Sequence, residues 1–380
     1  MPLRSKPIIQ LEEADLRSLI ENRVPEGLTL DYKRDTVGAS DNEKKEFLRD
    51  ISSFANAAGG HLIFGMDEKG GVPVALDGVN VIDSEKEVLR LEQIARAGLS
   101  PVIAGLQSKS IALTSGRCAL VVRVPKGLNP PHQVIFQKDF RIYGRNSSGK
   151  HPLTSEEIRA LVTAGEELAE RIRSWRVNRV ASIDAGITSR PLADRPYIVV
   201  HTVPLDAFAR GEVVDVDLAL KQLAMFLPPR TPVGGIDYAH NLDGLFICSP
   251  EDPVKWSVQI YRTGAIEQIR TIALVPSSDK KKWTDGAEID ALATRWLEKT
   301  KDIYEHLAVT GPIAMMVSLI GVGGCYVSAQ GDGSNHPVDR DPILLPEFVI
   351  ETWDTNKRAT LHPMRKRLWN ALGFRDLPYG

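Results

Sequence analysis

Four residues near the N-terminus have the types and spacing for phosphoryl chemistry: Glu26, Asp31, Lys33 and Asp67. Asp31 and Lys33 lie in the segment GLTLDYK (27–33), where apolar and polar residues alternate strictly. Leu28, Leu30 and Tyr32 face one way; Thr29, Asp31 and Lys33 face the other. On a strand, the Asp31 and Lys33 heads therefore project to one side. An acid-x-Lys pair on one strand, joined by an acid at the end of another, suits metal-dependent phosphodiester cleavage. Carboxylate oxygens hold Mg²⁺ or Mn²⁺, a bound water is activated, and the lysine meets the charge that builds on phosphate. In this reading Glu26, Asp31 and Asp67 are the metal ligands and Lys33 completes the catalytic set. A plainer reading stands beside it: Glu26 and Asp31 as solvated residues at a strand's start, and Asp67 as a turn residue.

The stretch Ser40 to Asp67 (SDNEKKEFLRDISSFANAAGGHLIFGMD) has to position these groups. Ser40 and Glu43 have the spacing of a capping box, which satisfies the free amides of a helix start. Phe47, Ile51, Phe54 and Ala58 follow at helical spacing. Gly59 and Gly60 stop the helix, where a left-handed residue is wanted. His61 to Gly65 reads as a short buried strand, with Asp67 just beyond its end and a turn-rich loop from Glu68 to Gly71 after it. Polar residues beyond buried strands are common sites of chemistry, because a rigid element holds the loop.

These residues resemble the Schlafen AlbA_2 domain. The resemblance rests on Glu26-x4-Asp31-x-Lys33, then Phe54-Ala-Asn-Ala-Ala-Gly-Gly60 and Gly65-Met66-Asp67. It continues through Phe140-Arg-Ile-Tyr-Gly-Arg145 and Glu156-Glu157-Ile158, and covers roughly residues 12–165. Schlafen ribonucleases use three acids, two in an E-x4-E-x-K motif and one Asp after the glycine-rich strand, which correspond to Glu26, Asp31 and Asp67. The resemblance implies divalent-metal endoribonuclease activity on structured RNA, tRNA especially, in the setting of bacterial antiviral defence. It also implies a clamp made of two lobes, so that a chain with one such lobe is expected to form a homodimer. This chain departs from the pattern at Asp31, where the family usually has the longer Glu. Many bacterial relatives are regulators, and some are labelled ATP-binding; the alternative function is a non-catalytic nucleic-acid- or nucleotide-binding regulator.

Gly144-Arg-Asn-Ser-Ser-Gly149-Lys150 has the spacing of a P-loop. His151 and Pro152, however, stand where the Mg²⁺-binding Ser or Thr should open a helix. Arg34, Arg141, Arg145 and Lys150 are instead candidate phosphate-facing residues for RNA, with an ordinary solvated basic loop as the alternative. Lys280-Lys281-Lys282 beside Trp283 is a weaker basic signal, and His132 after two prolines is a weak ligand candidate.

The chain has 380 residues, room for two or three domains at roughly 100–200 residues each. It is 43% hydrophobic and 25% charged, ordinary for a soluble globular protein. A net charge of −2 leaves any basic surface local. Cys118, Cys248 and Cys325 are scattered, which argues against disulfides and a zinc site and fits a reducing cytoplasm. Neither a signal peptide nor a membrane span is expected.

The fold expected is α+β. Residues 1–165 form an AlbA_2-like mixed sheet with helices, closed by a helix that runs toward Trp175. Residues 166–380 form a second α+β domain with an antiparallel sheet, for substrate binding, dimerisation or sensing. In the latter, strands are expected at Tyr197–Val203, Leu245–Ser249, Ser257–Arg262, Ile266–Val275, Ile313–Ile320 and Phe348–Thr352. Helices are expected at Asp217–Phe226, Asp285–Leu307 and Arg365–Leu372.

Overall fold

The computed structural model describes residues 3, 6, 8–127, 130–147, 149–208, 214–228, 235–277, 280–307, 309, 312–329, 332–334, 336–350 and 357–378. The chain divides into two compact units, Met1–Ala169 and Glu170–Gly380.

In the first unit, helix α1 (Glu13–Glu21) precedes strand β1 (Leu30–Lys33), helix α2 (Asp41–Ala55) and strand β2 (Gly60–Phe64). β1 and β2 pair in parallel, as a strand–helix–strand crossover demands. The hairpin β3 (Met66–Lys69) and β4 (Val72–Leu76) follows, then helix α3 (Ser84–Gly98) and the short β5 (Leu99–Ser100). Strands β6 (Gln107–Ala112) and β7 (Cys118–Val124) complete a mixed sheet of order β1-β2-β7-β6. A second sheet has the order β10-β9-β8-β5, built with β8 (Gln133–Val134), β9 (Arg141–Asn146) and β10 (Gly149–Pro152).

The strand alternation decides what faces what. Leu30 and Tyr32 of β1 pack with Ile63, Val121 and the α1 leucines Leu16 and Leu19. Leu62, Phe64, Leu120 and Val122 pack instead with Phe47, Ile51 and Phe54 of α2 and Leu91 of α3. Asp31 and Lys33 therefore emerge on the α2 side of the sheet, as the expected alternation requires. The capping box is present: the Ser40 hydroxyl accepts from the Glu43 amide, and the Glu43 carboxylate accepts from the Ser40 amide.

The double glycine has a geometric cause beyond ending the helix. Gly59 has φ +67°, and a Cβ there would sit 2.7 Å from the Lys126 nitrogen. A Cβ on Gly60 would sit 2.4 Å from Phe54 Cδ1 and 2.8 Å from the Thr29 carbonyl oxygen. Asn56, the helix C-cap, joins the two sheets. Its amide donates to the carbonyls of His132 and Tyr143 at 2.9 Å each, and its Oδ1 accepts from the His132 amide at 2.7 Å.

Several local expectations change. Asp67 lies inside strand β3, not in a loop after the buried strand, because Gly70 and Gly71, both at positive φ, turn the chain into a hairpin. The P-loop-like stretch is also a hairpin, with Gly149 opposite Asn146 and Lys150 opposite Arg145. The closing helix α4 runs from Ser155 to Asp184, past Trp175. Of the proline-rich stretch 126–132, residues 128 and 129 lie outside the described residues, as does Ser148.

The second unit holds a sheet of four described strands with a parallel pair, Lys282–Asp285 with Tyr326–Ala329, and a larger antiparallel sheet of eight described strands. The order of the larger sheet is Asp237–His240, Gly244–Cys248, Trp256–Tyr261, Ile266–Thr271, Tyr197–Pro204, Ile313–Ile320, with Ile343–Leu344 and Phe348–Ile350 both on the last. Ile198 and Val200 face a core with Ile289 and Trp296 of the helix Gly286–His306. Tyr197 and Val199 face Val180 and Ile183 of α4. The expected helix over 217–226 is two single turns, Asp217–Leu220 and Leu223–Phe226. The terminal helix begins at Lys357, earlier than expected, and Thr352 lies outside the described residues.

Replacing Asn56 with Ala leaves the His132 amide and the Tyr143 carbonyl buried without partners, a cost of about 2–4 kcal/mol. Hydrogen exchange resolved by peptide is expected to show β8 and β9 opening faster by more than tenfold, with the strand Tyr197–Pro204 unchanged. Unchanged exchange across β8 and β9 would remove Asn56 as the tie between the sheets.

Candidate functional site

The α2 side of β1 carries a buried group of alternating charges. Asp31 is only 5% exposed. Its Oδ1 accepts from Lys33 Nζ at 2.8 Å, and its Oδ2 accepts from an Arg145 Nη at 2.5 Å. Arg145 arrives from β9, donates its Nε–H to the Gly27 carbonyl at 2.8 Å, and stacks 4.3 Å over the Phe54 ring. From α2 comes Asp50, which is 1% exposed. It accepts from Lys150 Nζ at 2.6 Å and lies 3.6 Å from Lys33 Nζ and 3.8 Å from an Arg145 Nη. Lys150, on β10, also pairs with Glu46 of α2.

Glu26 borders this group. Its backbone amide donates to the Gly71 carbonyl in the β3–β4 turn, and its Oε1 accepts from the Tyr32 amide at 2.7 Å. Burial, with the Asp31 charge beside it, pushes the Glu26 carboxyl up to about 7. Asp31 goes the other way: burial opposes its charge, but Lys33 and Arg145 hold it below the usual carboxylate range. Burial likewise opposes the charge of Lys33, and Asp50 and Asp31 hold that amine above its ordinary range. Burial pushes the Asp50 carboxyl up, against the pull of Lys150 and Lys33. The surroundings thus push two neighbouring carboxyls in opposite directions.

The expected site residues are thus sorted. Glu26, Asp31 and Lys33 come together. Asp67 is half-buried on β3, and its side chain makes no hydrogen bond or ion pair among the described residues. Arg34 and Arg141 are exposed. Arg145 and Lys150 lie on strands, not in a solvated loop: Arg145 is buried against Asp31, and Lys150 pairs with Asp50 and Glu46 while its side chain stays 21% exposed. His132 is buried, with Nδ1 2.8 Å from the Pro101 carbonyl.

A divalent metal on Glu26, Asp31 and Asp67 does not fit this arrangement. Both Asp31 oxygens already meet cations, and among the described residues no group of three or more His, Cys, Asp or Glu is placed to hold a metal ion. The residue that sequence reasoning missed is Asp50. Its signal was present, since it stands three after Phe47 and four before Phe54, inside the apolar stripe of α2. A charge in that stripe has to find a partner from elsewhere in the chain.

The first unit is therefore a mixed α+β domain whose buried ion-pair cluster joins a parallel strand pair to an adjacent sheet. Residues 26–154 match the family model described as Schlafen, AlbA_2, and this stretch of the N-terminal unit is similar to that domain. No curated protein matches the chain. Two of the solved structures that match do so at low identity. The crystal structure of the DIP2311 protein of Corynebacterium diphtheriae is 16% identical with a TM-score of 0.26, covering 37% of this chain and 26% of that one. The solution NMR structure of the N-terminal domain of a RecG-related protein of Nitrosomonas europaea is 20% identical with a TM-score of 0.25, covering 35% of this chain and 81% of that one. This chain thus spans about a quarter of the length of the first. Among the described residues no helix is long and apolar enough to cross a membrane.

The raised Glu26 carboxyl sets a pH dependence of defined sign. The folded unit keeps a proton that the unfolded chain releases at about 4.5, so this group makes stability fall as pH rises from about 4.5 to about 7. Glu26→Gln removes that contribution. Thermal melts from pH 4 to pH 8 are expected to bring the variant's melting temperature up relative to wild type as pH rises, levelling off above pH 7. A constant offset at every pH would contradict the assignment.

Proposed function

We propose that the N-terminal domain binds structured RNA, tRNA in particular, and cuts it as a Schlafen-type endoribonuclease centred on Glu26, Asp31 and Lys33. The observation that carries this reading is their convergence: a carboxyl that titrates near 7 beside a fixed carboxylate–ammonium pair. In this reading Glu26 takes the proton of the attacking hydroxyl as its oxygen bonds to phosphorus; the P–O bond to the leaving oxygen breaks, that oxygen takes a proton from solvent, and Lys33 meets the charge that builds on the phosphate. Arg34 and Arg141, both exposed, supply contacts to the RNA backbone. A role in defence and the association of two chains into a clamp belong to the same proposal.

A second reading is a regulator that binds nucleic acid without cutting it. What favours it is the occupation of both Asp31 oxygens by Lys33 and Arg145, which leaves that acid no open face for a metal.

One assay separates the two: total tRNA incubated with the full chain in Mg²⁺, in Mn²⁺ and in EDTA. The expected result is discrete fragments from wild type, with the rate reduced about 10²–10⁴-fold in Glu26→Gln and Lys33→Gln. Cleavage lost in EDTA would mean that a metal displaces Lys33 or Arg145 from Asp31; cleavage retained would assign the charge stabilisation to those cations. Loss of cleavage in Asp67→Ala would bring β3 into the centre, and retention would remove it. Intact RNA in every lane, with a gel shift still seen, selects the regulator.

A further inference from the structure

Asp50 belongs to no motif that points to chemistry, yet three cations from three strands surround it. Lys150 of β10 lies 2.6 Å away, Lys33 of β1 at 3.6 Å and Arg145 of β9 at 3.8 Å. The Asp50 Oδ2 and an Arg145 Nη are buried without a hydrogen-bond partner. Both lysines reach outward from this contact, with side chains 35% exposed at Lys33 and 21% exposed at Lys150. An ammonium has three donors. Lys33 spends one on Asp31 and turns a second toward Asp50; Lys150 spends two, on Glu46 and Asp50. By that count each has one donor left over.

We propose that Asp50 is the positioning residue of this site: fixed in the buried face of α2, it holds the Lys33 and Lys150 ammonium groups side by side, with their remaining donors directed at one RNA phosphate. The inference rests on the RNA-directed reading above, and it names the residue that keeps the cationic side of that site in register. Asp50 touches no reacting atom. It acts through Lys33, which shares β1 with Asp31, and through Lys150, which brings in β10.

The test uses the full chain and a succinimidyl ester that labels lysine amines, read by mass spectrometry. Lys109 is the control for folding, because its ammonium is held by the Ile9 and Leu11 carbonyls at 2.6 and 2.7 Å, apart from this cluster. In Asp50→Asn, labelling of Lys33 and Lys150 is expected to rise about tenfold while Lys109 stays as in wild type. Asp50→Glu, which restores the charge, is expected to return both to within about threefold. On RNA, Asp50→Asn is expected to lower kcat about 10–100-fold with KM within about threefold, the pattern of a misplaced group that acts in the transition state. Unchanged labelling of Lys33 with Lys109 still protected would overturn the proposal, as would an unchanged kcat. Should Lys109 show that Asp50→Asn unfolds the unit, Glu46→Gln decides instead, at a residue whose side chain is 51% exposed. Protection of Lys150 that persists assigns the anchor to Asp50; protection that is lost assigns it to Glu46 and overturns the proposal. Absence of RNA cleavage by wild type would sink the nuclease reading, and the labelling result would still decide the role of Asp50.

Discussion

Asp31 divides its two carboxylate oxygens between an ammonium and a guanidinium, and the architecture of the N-terminal domain depends on that division. Lys33 comes from the same strand, so its pair is local. Arg145 comes from β9, more than a hundred residues later, and also bonds the Gly27 carbonyl just ahead of β1. Taking such charges out of water costs several kcal/mol per ion unless each finds close partners. The cost recurs at Asp50, and the same cations meet it. The first sheet and the β10-β9-β8-β5 sheet are thereby locked at the point where β1 leaves the core. An apolar substitute for the cluster could be as stable, which makes stability a poor reason for its presence. In the proposed function those cations and acids serve as a site.

Much of that support was legible in the sequence because it depends on local rules. The alternation in GLTLDYK put Asp31 and Lys33 on one face, and they are found 2.8 Å apart on the α2 side. Ser40 and Glu43 announced the start of α2, and the glycines announced its end. What local rules could not convey was the partner of each buried charge. Nothing between residues 140 and 150 distinguishes an arginine that will be buried from one that will be solvated. Arg141 and Arg145 stand four apart on β9 and so share one side of the strand; Arg145 is buried because it alone reaches Asp31 and the Phe54 ring, and Arg141 at the strand's start stays exposed. The hairpin that carries Asp67 was hidden for a related reason. Two adjacent glycines fit a loop as well as a tight turn, and the pairing of β3 with β4 decides between them.

The two acids of the motif are treated in opposite ways by their surroundings, and this is the physical content of the site. Asp31 is short, sits on the strand itself, and is ionised by the cations on either side. Glu26 is longer, lies ahead of the strand, and accepts a single backbone hydrogen bond from Tyr32 while facing the Asp31 charge. A glutamate at position 31 would push its carboxylate past the plane where Lys33 and Arg145 now converge. The aspartate suits the close ion pairs of this chain, and the departure from the usual family residue has a structural counterpart there. In the proposed function the division of labour follows from it: Asp31 stays charged and orders the cations, and Glu26, pushed up to about 7, is the group that exchanges a proton.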